Sequence, residues 1–196
     1  MEPRLLEILG PRFAEEGGAD ILDVGSGPLT TLGKATPNGR PFRLMTADPL
    51  SCMYKAMLRQ VGIDPIVPAV LLDAEMLATH FAEASFDLVH CGNSLDHAWD
   101  PIAGIEAMLQ IVRPGGAVYL RHHRNEGQQC NYTMMHQWDF DMGGPNGQDF
   151  VISSPSDVRD RTVNLVQHLD GRASVSTGII LGTPRTGRKE GEEEEL

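Results

Sequence analysis

Two sets of residues in this chain have the types and spacing to do chemistry. The first is the run Asp20-Ile-Leu-Asp23-Val-Gly25-Ser26-Gly27-Pro-Leu29, in which Ile21, Leu22 and Val24 lead into a turn built on two glycines. An apolar run ending in Gly-x-Gly reads as a buried strand entering a tight turn. Gly25 and Gly27 carry no side chain, so a ligand can lie against the bare backbone there, with Ser26 between them and the carboxylate of Asp23 alongside. The second set is polar and rich in histidine: Asn93, Asp96 and His97, then His122 and His123, then His136, so that four of the seven histidines fall between 97 and 136. Imidazoles beside carboxylates are the side chains that take up and return protons near neutral pH.

The turn suits a nucleoside cofactor, and its charge distinguishes between two. A dinucleotide-binding turn has a third glycine where this chain has Thr30, and it offers helix amides to a pyrophosphate. A carboxylate two residues before the first glycine opposes a pyrophosphate and suits positive charge. S-adenosylmethionine carries an amino group, a sulfonium and no phosphate, so Asp23 favours it. Asp48, about twenty residues past the turn, is placed to accept from both ribose hydroxyls, by the logic that also operates in dinucleotide sites.

The elements that must hold these residues follow from periodicity. Residues 3–16 place Leu5, Leu6, Ile8, Leu9 and Phe13 at helical spacing, which predicts a leading amphipathic helix. Pro37, Asn38, Gly39 and Pro41 leave room for only a short helix after the turn. Phe42 to Thr46 reads as a second strand, and Leu50 to Val61 as a helix stopped by Gly62, its methionines assigned to the core. Ile66 to Leu72 reads as a third strand interrupted by Pro68, and Phe86 to Cys91 as a fourth. Asp100 and Pro101 open a helix carrying Ile102, Ile105, Met108, Leu109 and Val112 on one stripe. Arg113-Pro114-Gly115-Gly116 reads as a compact reversal before a fifth strand, Ala117 to Leu120. Beyond it, Phe150 to Ile152 reads as a strand, Ser156 as the cap of a helix bearing Val158, Leu165, Val166 and Leu169, and Ala173 to Leu181 as a last strand.

Asp-Val-Gly-Ser-Gly at 23–27 resembles the first motif of the Rossmann-like S-adenosylmethionine-dependent methyltransferases. Phe86-Asp-Leu-Val89 and the passage from Leu109 through Arg113-Pro-Gly-Gly116 to Ala117-Val-Tyr-Leu120 resemble the same family, so the likeness covers about residues 20–122 in the family's order. It implies an α/β fold, a doubly wound, mostly parallel sheet with an antiparallel edge strand in a single domain. It also implies that Asp73 takes the adenine amino group while a neighbouring amide in Asp73-Ala74-Glu75 meets a ring nitrogen. In open parallel sheets the ligand crevice lies beyond the carboxyl ends of the strands, where the strand order reverses. Asn93 to His97 then stand near the methyl group, with His97 or Asp96 placed to receive a proton and His122, His123 and His136 as further candidates. Three roles stay open for the histidines: a polar acceptor pocket with Tyr132 or Trp138 stacking on a sugar-like face, a divalent metal held with carboxylates, or a solvated loop. Their spacing matches no metal motif, so no metal is assigned.

Composition bounds the partners. A net charge of −11, with no clustered Lys and Arg, disfavours nucleic acid and anionic membrane and favours a small-molecule acceptor. Cys52, Cys91 and Cys130 show no Cys-x-x-Cys spacing, which together with the absence of an apolar span or leader points to the cytoplasm. The expected organisation is a methyltransferase domain over 1–182, with a cofactor-binding core at 17–122 and an acceptor-side loop region at 123–150. A disordered charged tail at 183–196 follows it. The expected function is methyl transfer from S-adenosylmethionine to a small polar acceptor, a hydroxyl of a sugar or similar metabolite. A non-catalytic relative that binds the same nucleoside, or a nicotinamide-dependent oxidoreductase, are the alternatives; oligomeric state is not legible.

Overall fold

The computed structural model describes residues 5–10, 18–33, 42–143, 149–170 and 172. Four parallel strands form the main sheet in the order β2-β1-β3-β4: β1 is Asp20–Val24, β2 Arg43–Ala47, β3 Phe86–Gly92 and β4 Val112–Arg121. β1 and β3 are buried almost throughout because both of their faces are covered, which is why they read as continuous apolar runs. Side chains alternate between the two faces. Ile21 and Leu88 point to one face with Phe42, Leu32, and Leu5 and Leu9 of the helical segment α1, residues 5–10. Leu22, Val24, Val89 and Cys91 point to the other, where Ile102, Ile105, Met108 and Ile111 of α4 (Pro101–Ile111) cover them. Between these lie α2 (Ser51–Gln60), a 3-10 turn Ala74–Met76, α3 (Leu77–His80) and a second 3-10 turn, Leu95–His97.

The antiparallel component is a separate sheet of three strands, β5 (Asp139–Gly143), β6 (Asp149–Ser154) and β7 (Arg161–Asn164), with the short helices α5 (Glu126–Gln129) before it and α6 (Leu165–Leu169) after it. Phe140, Ile152 and Val163 face one another across its three strands. They join the same core as α4, together with Trp138, Leu165 and Leu169.

Several expected elements change form. The third strand, 66–72, reduces to one bridge, Val70 beside Ala47, closed by Asp48 N to Val70 O and Val70 N to Thr46 O. Pro68 has no amide to extend that ladder. Residues 28–33 bend and form no helix, and the rest of that expected helix lies outside the described residues. Arg113-Pro114-Gly115-Gly116 does not reverse the chain. β4 starts at Val112, directly from α4, and the two-residue step from Phe86 to Leu88 faces the five-residue step from Val112 to Ala117, so these residues bulge out of the strand. Gly115, at φ +76°, makes that bulge possible. Met53 and Met57 of α2 are exposed, and only Ser51 and Leu58 of that helix are buried. Ser156 starts a turn leading to β7, not a helix. The expected strand at 173–181 and the tail at 183–196 lie outside the described residues, as do residues 3–4 and 11–16 of the leading helix. Among the described residues no helix is long and apolar enough to cross a membrane.

Two devices hold the frame. At the amino ends of the strands, Arg43 Nε donates to Asp20 Oδ1 at 2.5 Å, Arg113 Nη2 to Asp20 Oδ2 at 2.9 Å, and Arg113 Nη1 to Asp87 Oδ2 at 2.8 Å. One network thus clamps β1, β2, β3 and the bulge of β4. The Arg43 guanidinium, opposed by burial and reinforced by Arg113, holds the Asp20 carboxyl below the usual carboxylate range. At the other end, Gly104 lets α4 approach the 3-10 turn at 74, since a Cβ there would stand 3.1 Å from Ala74 Cβ and 3.3 Å from Leu95 Cδ2.

Each device carries a prediction. Asp20's folded pKa lies below its unfolded value of about 3.9, so its contribution is present above that pH and lost as pH falls through the folded value. Asp20→Asn should lower the melting temperature by a few degrees at neutral pH, and the gap to the parent should close in acid; thermal melts across pH check this. Gly104→Val should cost about 1–3 kcal/mol by overpacking the contact between α4 and Ala74, read from urea unfolding midpoints.

Candidate functional site

The carboxyl ends of the strands bring the candidate residues to one edge of the sheet: Gly25 to Gly27 after β1, Asp48 after β2, Asp73 after the Val70 bridge, Asn93 to His97 after β3, and His122 and His123 after β4. Gly25 and Gly27 have φ of +64° and +67°, the left-handed region that a Cβ disfavours. They serve different neighbours. A side chain on Gly25 would run into Ser94, whereas one on Gly27 would meet nothing within 4 Å. Gly25 therefore seats the β3 loop on the turn, and Gly27 presents an open backbone face.

The amides of the turn all point inward. Gly25 N donates to Ala47 O at 2.8 Å, Ser26 N to the same oxygen at 3.4 Å, and Gly27 N to Asp48 Oδ2 at 2.9 Å. The other oxygen of Asp48 accepts from Leu50 N at 2.7 Å. Asp48 is buried, and each of its oxygens keeps a lone pair for a further donor. Asp23, also buried, accepts from Thr30 Oγ1 and from His90 Nδ1, both at 2.6 Å. His90 is itself buried and stacks on Tyr119 at 5.8 Å.

Asp73 is exposed and lines a cleft of about 360 Å³ with Pro49, Leu71, Leu72, Met76, Thr79 and His80. Its neighbours face elsewhere. Ala74 packs into the core beside Gly104, and Glu75 Oε1 accepts from Asp100 N at 2.9 Å, joining this turn to the start of α4. That start is capped as expected, Asp100 Oδ1 accepting from Ile102 N at 3.0 Å and Ala103 N at 3.2 Å.

On the opposite side of the turn the segment 136–138 docks on the 3-10 turn at 95–97. Gln137 N donates to Asp96 O at 3.1 Å, and Trp138 Nε1 donates to Ala98 O at 3.0 Å. This docking closes a triangle of side chains: His136 Nδ1 lies 2.7 Å from Asp96 Oδ2, His97 Nε2 lies 3.0 Å from His136 Nδ1, and His97 Nε2 lies 3.3 Å from Asp96 Oδ2. Asp96 is almost completely buried, whereas the side chains of His97 and His136 are 33% and 28% exposed, so the imidazoles form its accessible rim. Burial pushes the Asp96 carboxyl up, partly offset by the His136 hydrogen bond. His122 stacks on Phe140 at 4.1 Å with both ring nitrogens buried and unpartnered, and burial drives it down to about 3. It is a neutral imidazole. His123 is exposed, and its amide donates to Asn93 Oδ1 at 2.9 Å, so both backbone and side chain of Asn93 tie the β3 exit to the β4 exit.

Of the histidines read from the sequence, the structure joins His97 and His136 through Asp96, sets His122 deeper, and leaves His123 at the surface. Trp138 is buried and hydrogen-bonded, so it offers no face to a sugar ring; Tyr132 is held by its hydroxyl on Asp139. Trp99, two residues after His97, is 76% exposed, with one ring face under the Arg159 guanidinium at 4.0 Å. The supporting roles of Ser94, His90 and Thr30 were missed by sequence reasoning. Ser94 and His90 act on partners about seventy residues away, and Thr30, read only as a departure from the dinucleotide pattern, acts on Asp23 seven residues before it.

Residues 22–120 match the model of the family described as methyltransferase domain. The chain is 31% identical over 121 residues to a ubiquinone biosynthesis O-methyltransferase of Xanthomonas axonopodis pv. citri (strain 306), covering 61% of this chain and 49% of that protein. It is 30% identical over 106 residues to an uncharacterized methyltransferase of Mycobacterium sp. (strain KMS), covering 54% and 39%. Among solved structures it is similar to the YcgJ protein of Bacillus subtilis, with 21% identity, TM-score 0.43, and 60% and 51% of the two chains covered. The chain spans about half or less of the length of the curated relatives it matches. With half of its residues matched by the family model, across the glycine turn and all four parallel strands, the chain belongs to the methyltransferase-domain family, whose methyl donor is S-adenosylmethionine.

Proposed function

We propose that this chain transfers the methyl of S-adenosylmethionine to a hydroxyl of a small polar acceptor, a sugar or similar metabolite, in the crevice between the glycine turn and the Asp96–His97–His136 cluster. The observation that carries the reading is the seating of Ser94 on Gly25, because it sets a proton-accepting cluster that begins two residues beyond Ser94 beside the turn. The residues present fit the donor. Gly27 leaves a bare face where a Cβ would stand, and the amides of the turn are spent on Ala47 O and Asp48, so none is free to cradle a pyrophosphate. That disfavours a nicotinamide dinucleotide and suits a cationic nucleoside.

In this reading Asp48 holds the ribose hydroxyls. Asp73 and the Ala74 amide meet the adenine in the cleft walled by Pro49, Leu71 and Leu72. Asp23, with Ser26 and Asn93 nearby, supplies negative charge and shape around the methionine end. When bound, S-adenosylmethionine supplies a methyl on a positively charged sulfur, so the protein's share is alignment and a destination for the acceptor's proton. His97, the most open member of the cluster, contacts the acceptor hydroxyl, with Asp96 and His136 behind it. Trp99 offers an acceptor ring a stacking face. The three cysteines Cys52, Cys91 and Cys130 are unpaired, in keeping with a cytoplasmic setting.

The test pairs binding with turnover. Calorimetry should show S-adenosylhomocysteine bound by the parent and not by Gly27→Val, and labelled methyl should pass to a member of a polyol and sugar panel. His97→Ala should lower kcat by about 10²- to 10⁴-fold while leaving nucleoside affinity unchanged. Nucleoside binding without transfer to any acceptor would establish a non-catalytic binder, and binding of NADH in place of S-adenosylhomocysteine would overturn the donor assignment.

A further inference from the structure

We infer that Asp96, His97 and His136 form a binding site for one divalent transition-metal ion, of the zinc or iron(II) class, on the acceptor side of the crevice. The three ligand atoms Asp96 Oδ2, His97 Nε2 and His136 Nδ1 lie within 4.8 Å of one another, with pairwise separations of 2.7, 3.0 and 3.3 Å. Beside an ionised carboxylate, protons alone fit such a triangle poorly. A ring nitrogen carries a proton or a lone pair, never both. Whichever tautomers are chosen with Asp96 ionised, one N–H must serve two acceptors, or two N–H groups or two lone pairs must face each other. One cation at the centre takes a lone pair from each atom and removes the conflict.

The edge lengths fit that role. Ligands about 2.0–2.1 Å from a metal stand about 3.3 Å apart in a tetrahedron and about 2.9 Å apart in an octahedron, and the three edges straddle these values. Two imidazoles and one carboxylate select zinc, iron(II), cobalt(II) or manganese(II) over magnesium and calcium. The surroundings independently call for positive charge. Asp96 Oδ1 and Glu126 Oε2 are buried without a hydrogen-bond partner, and the two carboxylates are close enough to act on each other. Two neighbouring carboxylates with unmatched buried oxygens are costly unless a cation faces them. The rim formed by the half-exposed imidazoles leaves a side for solvent or an acceptor oxygen, the open position of a catalytic rather than structural metal site.

Spacing in the sequence conceals the site. Asp96 and His97 are adjacent, and the third ligand arrives from 39 residues away through the docking of Gln137 and Trp138 on the 95–98 segment. The inference rests on the proposed reading only for where the acceptor lies. With the cation bound, the lone pairs of His97, His136 and Asp96 Oδ2 would hold it and it would lower the acceptor hydroxyl's pKa as it does that of bound water, so the hydroxyl's proton would leave to solvent at the open rim; without it, His97 takes that proton itself.

The full chain, stripped with a chelator and dialysed, should be titrated with zinc chloride in a calorimeter and with cobalt chloride by visible absorption. One equivalent should bind, with cobalt bands characteristic of a nitrogen- and oxygen-ligated ion, and magnesium chloride should not compete at equal concentration. His97→Ala and His136→Gln should each weaken zinc binding by at least about tenfold, and His168→Ala, a histidine paired with Glu106 elsewhere, should not. Circular dichroism checks that each variant is folded, and Asp96→Asn supplies a third ligand variant if one is not. Zinc binding that is absent, or that persists undiminished in the folded double variant His97→Ala/His136→Gln, overturns the site. Binding of S-adenosylhomocysteine by the stripped protein is measured alongside and should be unchanged, so failure of the metal site is distinguishable from failure of the methyl-donor reading.

Discussion

The site is organised by the way the turn after β1 spends its amides. Gly25, Ser26 and Gly27 all donate toward the end of β2, two of them to Ala47 O and the third to the carboxylate of Asp48. Those bonds hold the two left-handed glycines in a fixed bend, and they leave at Gly27 a bare face with no exposed donor. The helix-capping turn that greets phosphate works the opposite way, with amides directed outward. Asp48 is thus doubly placed: it closes the turn with one oxygen, steadies Leu50 with the other, and keeps a lone pair on each. A carboxylate buried to this degree needs such donors, because an unpaired buried charge is among the costliest things a fold can hold.

The same constraint explains Asp23 and His90. Asp23 lies inside the sheet, and its charge is met by Thr30 from the turn and His90 from the adjacent strand, directly opposite in the register of β1 with β3. The position that a dinucleotide fingerprint would give to a third glycine is occupied here by the hydroxyl that completes this pair. Thr30 therefore counts in this chain as a supporter of Asp23 as well as a departure from the dinucleotide pattern. The turn is braced along both edges of β1, by Asp48 beyond β2 on one side and by Ser94 and His90 of β3 and its exit on the other.

What was legible in the sequence follows from how local each signal is. β1 and β3 are buried on both faces, so Ile21, Leu22, Val24 and the run Phe86 to Cys91 identify themselves. α4 carries its start signal in Asp100-Pro101, and both act as their types suggest. Val70 makes a single bridge, and with Pro68 beside it the surrounding apolar residues look like a strand that the hydrogen bonds do not complete. Pro114, Gly115 and Gly116 have turn chemistry, yet the ladder resumes on either side of them, so a bulge and a reversal have the same composition. Trp138 reversed its expected role because an indole suited to stacking on a ligand is equally suited to core burial, and only the acceptor at Ala98 O decides between them.

The Asp96–His97–His136 cluster was hardest to read because its geometry depends on the second sheet. Phe140, Ile152 and Val163 bury one face of that sheet in the core that α4 shares, and this places the chain just before β5 against the 3-10 turn at 95–97. His136 reaches Asp96 as a consequence of that packing, without any pattern linking the two in sequence. The parallel sheet supplies the turn and its carboxylates from strand ends a few residues long, whereas His136 comes from the segment that leads into the second sheet. A change in β5 to β7 can therefore alter what stands against the 3-10 turn at 95–97 while leaving the glycine turn after β1 intact. The two parts meet in one core: Leu22, Val24 and Cys91 reach it from the parallel sheet, Ile102, Ile105, Met108 and Ile111 from α4, Trp138 from the segment before β5 and Phe140 from β5.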